Sequence, residues 1–135
     1  MYTDSIYFMK NTYALITGAS SGIGLEIAYN LANRGYNLVL TARREDRLIS
    51  ISKEISEKFK VKVDFISCDL SDINTPTEIF NFCNEKNYKV EILINNAGYG
   101  IKSPFHETSM EDEEDFIRVL GTSVIALTKI FLPSM

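Results

Sequence analysis

The stretch Thr17-Gly18-Ala19-Ser20-Ser21-Gly22-Ile23-Gly24, TGASSGIG, decides the fold of this 135-residue chain. An apolar run, Tyr13-Ala14-Leu15-Ile16, precedes it, and an amphipathic run, Leu25 to Leu31, follows. That order reads as strand, glycine turn, helix. Gly18 supplies the positive φ that a tight exit from a strand often needs. Gly22, without a Cβ, lets a ligand approach its backbone. Gly24 lets the new helix pack closely on its strand. The free N–H groups at such a helix start form a positive pole suited to a pyrophosphate. The spacing is GxxxGxG, not the GxGxxG of the better-known dinucleotide turn.

Working outward, strand-length apolar runs alternate with longer amphipathic stretches. The pattern predicts strands at Thr12–Thr17, Tyr36–Ala42, Lys60–Ser67 and Val90–Asn95. Helices are expected at Gly22–Arg34, Glu45–Phe59, Thr75–Asn84 and from Met110 toward Leu132. In the second helix Leu48, Ile51, Ile55 and Phe59 recur on one face. Gly35 suits the end of the first helix and Pro76 the first turn of the third. The acidic cluster Glu111 to Asp115 reads as a solvated capping face near a helix's positive end. Such alternation implies right-handed crossovers and a parallel sheet covered on both faces.

Composition narrows the function classes. With 45% hydrophobic and 24% charged residues the chain is globular, large enough for one domain with its own core. A net charge of −4 argues against a broad nucleic-acid footprint. No apolar run is expected to reach the ~20 residues of a membrane span. Residues 1–8 lack the basic start of a secretory signal and read as a disordered N-terminal extension, with the folded unit at 9–135. Cys68 and Cys83 form no CxxC and read as small buried filler in a reducing cytoplasm. His106, the only histidine, reads as solvated, which leaves no histidine-based metal site.

Three further motifs follow the predicted strands. NAD-preferring sites carry an acid about 20 residues beyond the glycine turn, to hold the ribose 2′-hydroxyl. Here that place is near Ala42, 18 residues past Gly24, and Arg43-Arg44 follow instead. A guanidinium pairs with a 2′-phosphate through two parallel hydrogen bonds. NADP is therefore expected over NAD, with Arg43 the better contact. Strand three ends in Cys68-Asp69-Leu70, and strand four in Asn95-Asn96-Ala97-Gly98. Side-chain amides in the latter can satisfy backbone groups where a strand stops, and Gly98 lets the chain turn close to a ligand.

Taken in order, TGASSGIG, ARR, CDL and NNAG resemble the motifs of the short-chain dehydrogenase/reductase family, over about Met9 to Met135. The resemblance implies a doubly wound, Rossmann-type α/β fold with a parallel sheet in the order 3-2-1-4. It implies a nicotinamide dinucleotide in the crevice where the strand order reverses. The cofactor-binding set would be Gly18, Ser20, Ser21, Gly22, Ile23, Gly24, Arg43, Arg44, Asp69, Leu70, Asn95, Ala97 and Gly98. Asp69 would approach the adenine amino group and the next backbone amide the ring. NNAG would brace the sheet and line the groove, and Tyr99 to Ser109 would lead toward the substrate.

The catalytic half of the resemblance is missing. Family members transfer a hydride between the nicotinamide and a carbonyl or alcohol. They use a serine and a Tyr-x-x-x-Lys on strand and helix five, and an asparagine on helix four. The family is therefore expected to be truncated here before strand five. None of the seven tyrosines has a lysine four residues later. Aligning Phe131-Leu132-Pro133 with the family's FLP puts Leu120 at the asparagine's place; a small deletion within Arg118–Thr122 is the alternative alignment. Leu120 is not expected to hold a water or to stabilise a bent backbone.

Three functional readings follow: an oxidoreductase fragment inactive by itself, a non-catalytic cofactor-binding or regulatory module, and a structural subunit. The helix from Met110 carries too many apolar residues for one stripe, and strand four is an open edge. A homodimer through that helix, with strand four pairing across a two-fold axis, is the expected assembly.

Overall fold

The computed structural model describes residues 11–135. The expected extension at residues 1–8 lies outside the described residues. Four strands form one parallel sheet: β1 (Thr12–Thr17), β2 (Asn37–Ala42), β3 (Val63–Ser67) and β4 (Lys89–Ile94), in the order β3-β2-β1-β4. Helices α1 (Gly22–Asn33), α2 (Glu45–Phe59) and α3 (Thr75–Glu85) connect them. After β4 come a short 3-10 turn (Phe105–Glu107), then α4 (Met110–Ile117), a π-helical turn (Arg118–Thr122) and α5 (Ser123–Phe131). This is the doubly wound, Rossmann-type α/β fold.

β1 is buried along its whole length, because a central parallel strand is covered on both faces. Alternate residues serve two cores. Ala14 and Ile16 join Leu38, Leu40, Ala28, Leu48 and Ile55 under α1 and α2. Tyr13 and Leu15 join Val39, Ile79, Leu127 and Phe131 under α3 and α5. The register aligns Ile16 with Leu40 and with Ile94, so the three strands end at one level.

Several expected boundaries shift. β3 begins at Val63 rather than Lys60, because Lys60 takes a left-handed φ of 58° and closes α2 through its N–H to the Ser56 carbonyl. Val61 and Lys62 then turn the chain: the Ser56 hydroxyl donates to the Val61 carbonyl, and the Lys62 N–H to Asn37 Oδ1. β2 starts at Asn37, one residue after the expected Tyr36. β4 runs one residue earlier than expected, and a register irregularity falls opposite Tyr13 and Ala14.

The helix from Met110 differs most from expectation. It is rewound as a π turn at Arg118–Thr122, with Leu120 in the middle. The leucine does not prevent the widened turn: the Ser123 N–H closes it on the Arg118 carbonyl, and neighbouring hydroxyls add to it, Ser123 Oγ donating to Val119 O at 2.8 Å and Thr122 Oγ1 to Arg118 O at 3.4 Å. The segment Met110–Ser134 also corrects the expectation about apolar runs. Its 25 residues hold a window of mean hydropathy 1.6, enough by length and composition alone to cross a membrane. One face is committed to the sheet, however: Val119, Ser123, Leu127 and Phe131, four apart, are buried.

Candidate functional site

The ends of all four strands open onto one cleft of about 640 Å³. Its walls come from the glycine turn (Gly18, Ser20, Ser21, Ile23), the end of β2 (Thr41 to Arg44), the end of β3 (Cys68 to Ser71) and the segment Asn96 to Tyr99. Asp115 and Val119 close it from the helical side. The cleft sits where β1 passes β2 on one side and β4 on the other, the reversal point at which open parallel sheets bind ligands.

The turn is held from below. Thr17, 1% exposed, accepts the N–H groups of Asn96 and Ala97 on its hydroxyl oxygen, both at 3.0 Å. Asn96 returns its side-chain amide to the carbonyls of Thr17 and Gly18, at 3.0 and 3.2 Å. Two segments nearly 80 residues apart are thereby locked together. Gly18 has a φ of +65°, and a Cβ there would lie 2.7 Å from the Ala97 backbone. Gly24 abuts Gly18 and Asn96 just as closely. Gly22 is different: at φ +59° it has nothing within 4 Å of where a Cβ would be. Ser21 precedes α1 without donating or accepting a side-chain cap, so the helix start faces outward uncapped. Two glycines serve packing, and the third leaves room above the helix pole.

The arginines converge on the same turn. Arg44 donates to Ser20 Oγ at 3.3 Å, and Arg47 to the Ser20 carbonyl at 3.3 Å. Arg43 lines the cleft beside Arg44. Opposite, Asp69 Oδ1 accepts the Ser71 N–H at 2.9 Å, while its carbonyl accepts the Thr75 hydroxyl at 2.6 Å. Leu70, 8% exposed, anchors that loop in the core. Cys68 Sγ donates to Thr41 Oγ1 at 3.5 Å, and burial pushes its thiol above the ordinary range. At the far end Tyr99 meets Phe116 edge-on, with ring centroids 5.6 Å apart. Burial, then the nearby Asp115 carboxylate, raises the Tyr99 phenol.

Most of the residues singled out from sequence meet in this cleft, with three exceptions of position. Gly22 and Gly24 are not among its lining residues, and Asn95 turns its amide to Thr128 Oγ1 at 3.3 Å, on α5. The bracing expected of NNAG falls to Asn96, which the sequence reading did not single out. Thr41, Cys68, Ser71, Asp115 and Val119 were also missed as lining residues. Asp115 and Val119 stand four apart on one helix face, a legible spacing, and Asp115 lines the cleft rather than belonging to the expected solvated cap. Only the Ser109–Asp112 pair forms that cap, each side chain bonding the other's backbone N–H.

A family model for short chain dehydrogenases matches residues 12–135. The very-long-chain 3-oxoacyl-CoA reductase of Kluyveromyces lactis is 36% identical over 130 residues, covering 93% of this chain and 37% of that protein. The enzyme of the same name from Eremothecium gossypii is 38% identical over 128 residues, covering 92% and 36%. Among solved structures, L-sorbose reductase from Gluconobacter frateurii, complexed with NADPH and L-sorbose, superposes with a TM-score of 0.87 at 31% identity, covering 94% of this chain and 48% of that one. An alcohol dehydrogenase from Thermococcus sibiricus, complexed with 5-hydroxy-NADP, gives 0.83 at 36% identity, covering 91% and 52%. The chain belongs to the short chain dehydrogenase family. It spans a little over a third of the length of the curated relatives it matches.

Proposed function

We propose that the cleft binds NADP(H), and that these residues form the cofactor-binding part of a short-chain dehydrogenase/reductase acting on a carbonyl or alcohol. The observation that carries this is the meeting of Ser20, Ser21 and the uncapped start of α1 with the Arg43–Arg44 pair around one cleft, with open space over the Gly22 backbone between Ser21 and Ile23. A helix pole and backbone N–H groups suit a pyrophosphate, and guanidinium groups suit a 2′-phosphate. When bound, the dinucleotide supplies or accepts the hydride. Gly18, Ser20, Ser21, Gly22, Ile23 and Gly24 would shape the pyrophosphate site. Arg43 and Arg44 would hold the phosphorylated ribose, and Asp69 and Leu70 the adenine. Ala97 and Gly98 would form the opposite wall. Reduction of a carbonyl is the reaction that the names of the yeast relatives and of L-sorbose reductase have in common.

The 135 residues contain no Tyr-x-x-x-Lys, and the alignment on Phe131-Leu132-Pro133 puts Leu120 at the family's asparagine place. A phenol has an ordinary pKa near ~10 and needs a neighbouring cation to act as a general acid at neutral pH. On their own these residues would bind cofactor without turning over substrate. That also favours the second reading, a non-catalytic cofactor-binding module. The free thiols Cys68 and Cys83 suit a reducing cytoplasm. The exposed apolar positions Ile117, Leu120, Ile125 and Leu132 suit a homodimer through this helix. Calorimetric titration tests the cofactor reading: NADPH should bind more tightly than NADH, and no binding of either would overturn it. Turnover of a carbonyl panel by this chain alone would overturn the inactivity.

A further inference from the structure

Arg47 occupies an electrostatically unfavourable place. It is the third residue of α2, in the first turn, where the helix pole favours Glu45 and Asp46 and disfavours a cation. Its guanidinium leaves the helix and donates to the Ser20 carbonyl, 27 residues back in the glycine turn. Ser20 is 8% exposed, so this carbonyl has little access to water, and the guanidinium at 3.3 Å offers it a charged donor. Arg44 meanwhile holds the hydroxyl of the same serine. Among the described residues Arg47 is not part of the cleft wall, whereas Ser20 and Ser21 are.

We propose that Arg47 is a positioning residue for the dinucleotide: by fixing the Ser20 carbonyl toward α2 it sets the orientation of the Ser20–Ser21 peptide beneath the pyrophosphate. The reading rests on the cofactor assignment above. A trans peptide is planar, with its C=O and N–H pointing opposite ways. Holding the Ser20 oxygen on Arg47 therefore aims the Ser21 N–H away from α2. That peptide turns about Ser20 ψ and Ser21 φ; Ser21 is extended, at φ −167°, and the guanidinium holds the Ser20 end. The pyrophosphate is common to NADPH and NADH, so loss of this control affects both equally. A direct contact with the 2′-phosphate would affect NADPH alone.

The test is titration of NADPH and of NADH into the wild-type chain, Arg47→Met and Arg47→Lys, followed by nicotinamide fluorescence. Amide spectra of Ser21 and Gly22 in the ligand-free proteins, together with their melting curves, accompany it. Arg47→Met should weaken both dinucleotides by roughly tenfold, as expected for one charge-assisted bond. It should also move the Ser21 and Gly22 amide signals while the chain remains folded. Arg47→Lys, which keeps a cationic donor, should restore most of the affinity for both. Loss confined to NADPH, unchanged binding and amide signals in Arg47→Met, or equal losses in Met and Lys variants would overturn the proposal. A wild-type chain that binds neither dinucleotide would overturn the cofactor reading and this proposal with it. Wild-type binding that Arg47→Met leaves intact overturns this proposal alone.

Discussion

Leu120 rests on Gly98: a Cβ added to that glycine would meet Leu120 Cδ2 at 2.7 Å. The π turn thus presents its central side chain to the last residue of NNAG, at the rim of the cleft. The leucine is 41% exposed and flexible at its tip, so it can yield. Gly98→Ala should cost about 1 kcal/mol, at the lower end for overpacking. Most of that cost should vanish in the Gly98→Ala/Leu120→Ala double variant, as a double-mutant cycle by urea unfolding would show. Additive losses would mean that the glycine is needed for another reason.

Thr17, itself buried, accepts two partly buried backbone amides on one hydroxyl. Thr17→Val keeps the shape and leaves the Asn96 and Ala97 N–H groups without their acceptor. With buried unsatisfied donors costing about 1–3 kcal/mol each, a net loss of roughly 2–3 kcal/mol is expected after relaxation. Denaturant unfolding measures it. A loss under half of that would show that water or another acceptor takes over.

The proposed preference for NADP rests on Arg43. A charge-assisted contact contributes on the order of 1.5–3 kcal/mol. Arg43→Ala should accordingly weaken NADPH about 10- to 100-fold and leave NADH nearly unchanged. Equal losses for both dinucleotides in calorimetry would move the 2′-phosphate contact elsewhere, with Arg44 next in line beside Ser20.

At the opposite end of the sheet Asp64 organises a polar cluster. Burial works to raise its carboxyl, but the Lys86 ammonium, the Phe65 amide and the Tyr88 hydroxyl together outweigh that and hold it below its ordinary 3.8. Lys86 Nζ lies 2.6 Å and Tyr88 Oη 2.9 Å from the same oxygen, and Tyr88 stacks on buried Tyr13. A depressed folded pKa gives stability that is present above the unfolded value and lost as pH falls through the folded one. Stability should therefore hold at neutral pH and decline below about pH 4. Asp64→Asn should flatten that acid limb and lower stability at pH 7 by on the order of 1 kcal/mol. An unchanged acid slope in urea titrations at several pH values would exclude the cluster as its source.

Fold and site were not equally legible. The strand order followed from matching motifs that each end a strand, and Glu45–Phe59 from a clean 3.6 period with acids at its start. What escaped was whatever depends on through-space partners. Nothing local distinguishes Asn96 from Asn95; only the position of Thr17 across the sheet makes the former the brace. Lys60 looks like strand because β propensity continues through Val61, yet the helix before it needs a left-handed cap. The π turn has no signature in composition. Its hydroxyls at Thr122 and Ser123 acquire meaning only once the turn is seen to widen.

One face of the helix from Met110 is left unused by the sheet and carries exposed Ile117, Ile125 and Leu132. Ile125 and Leu127, two apart on this helix, face different surroundings. Leu127 is fully buried in the core with Ile79 and Phe131, so Leu127→Lys should unfold the chain and says nothing about assembly. Ile125 is 60% exposed, in line with Ile117 at 59% and Leu132 at 62%. A stable interface buries about 800 Å² on each partner, and a helix face of this length is of the right scale to seed one. Ile125→Lys places a charge at its centre without touching the core. It should leave the melting profile of the monomer intact and shift sedimentation from dimer to monomer. A wild-type chain that sediments as a soluble monomer at high concentration would exclude the dimer. An Ile125→Lys variant that remains dimeric would instead move the contact to the open edge of β4, where Glu91-Ile92-Leu93 has no described strand beyond it.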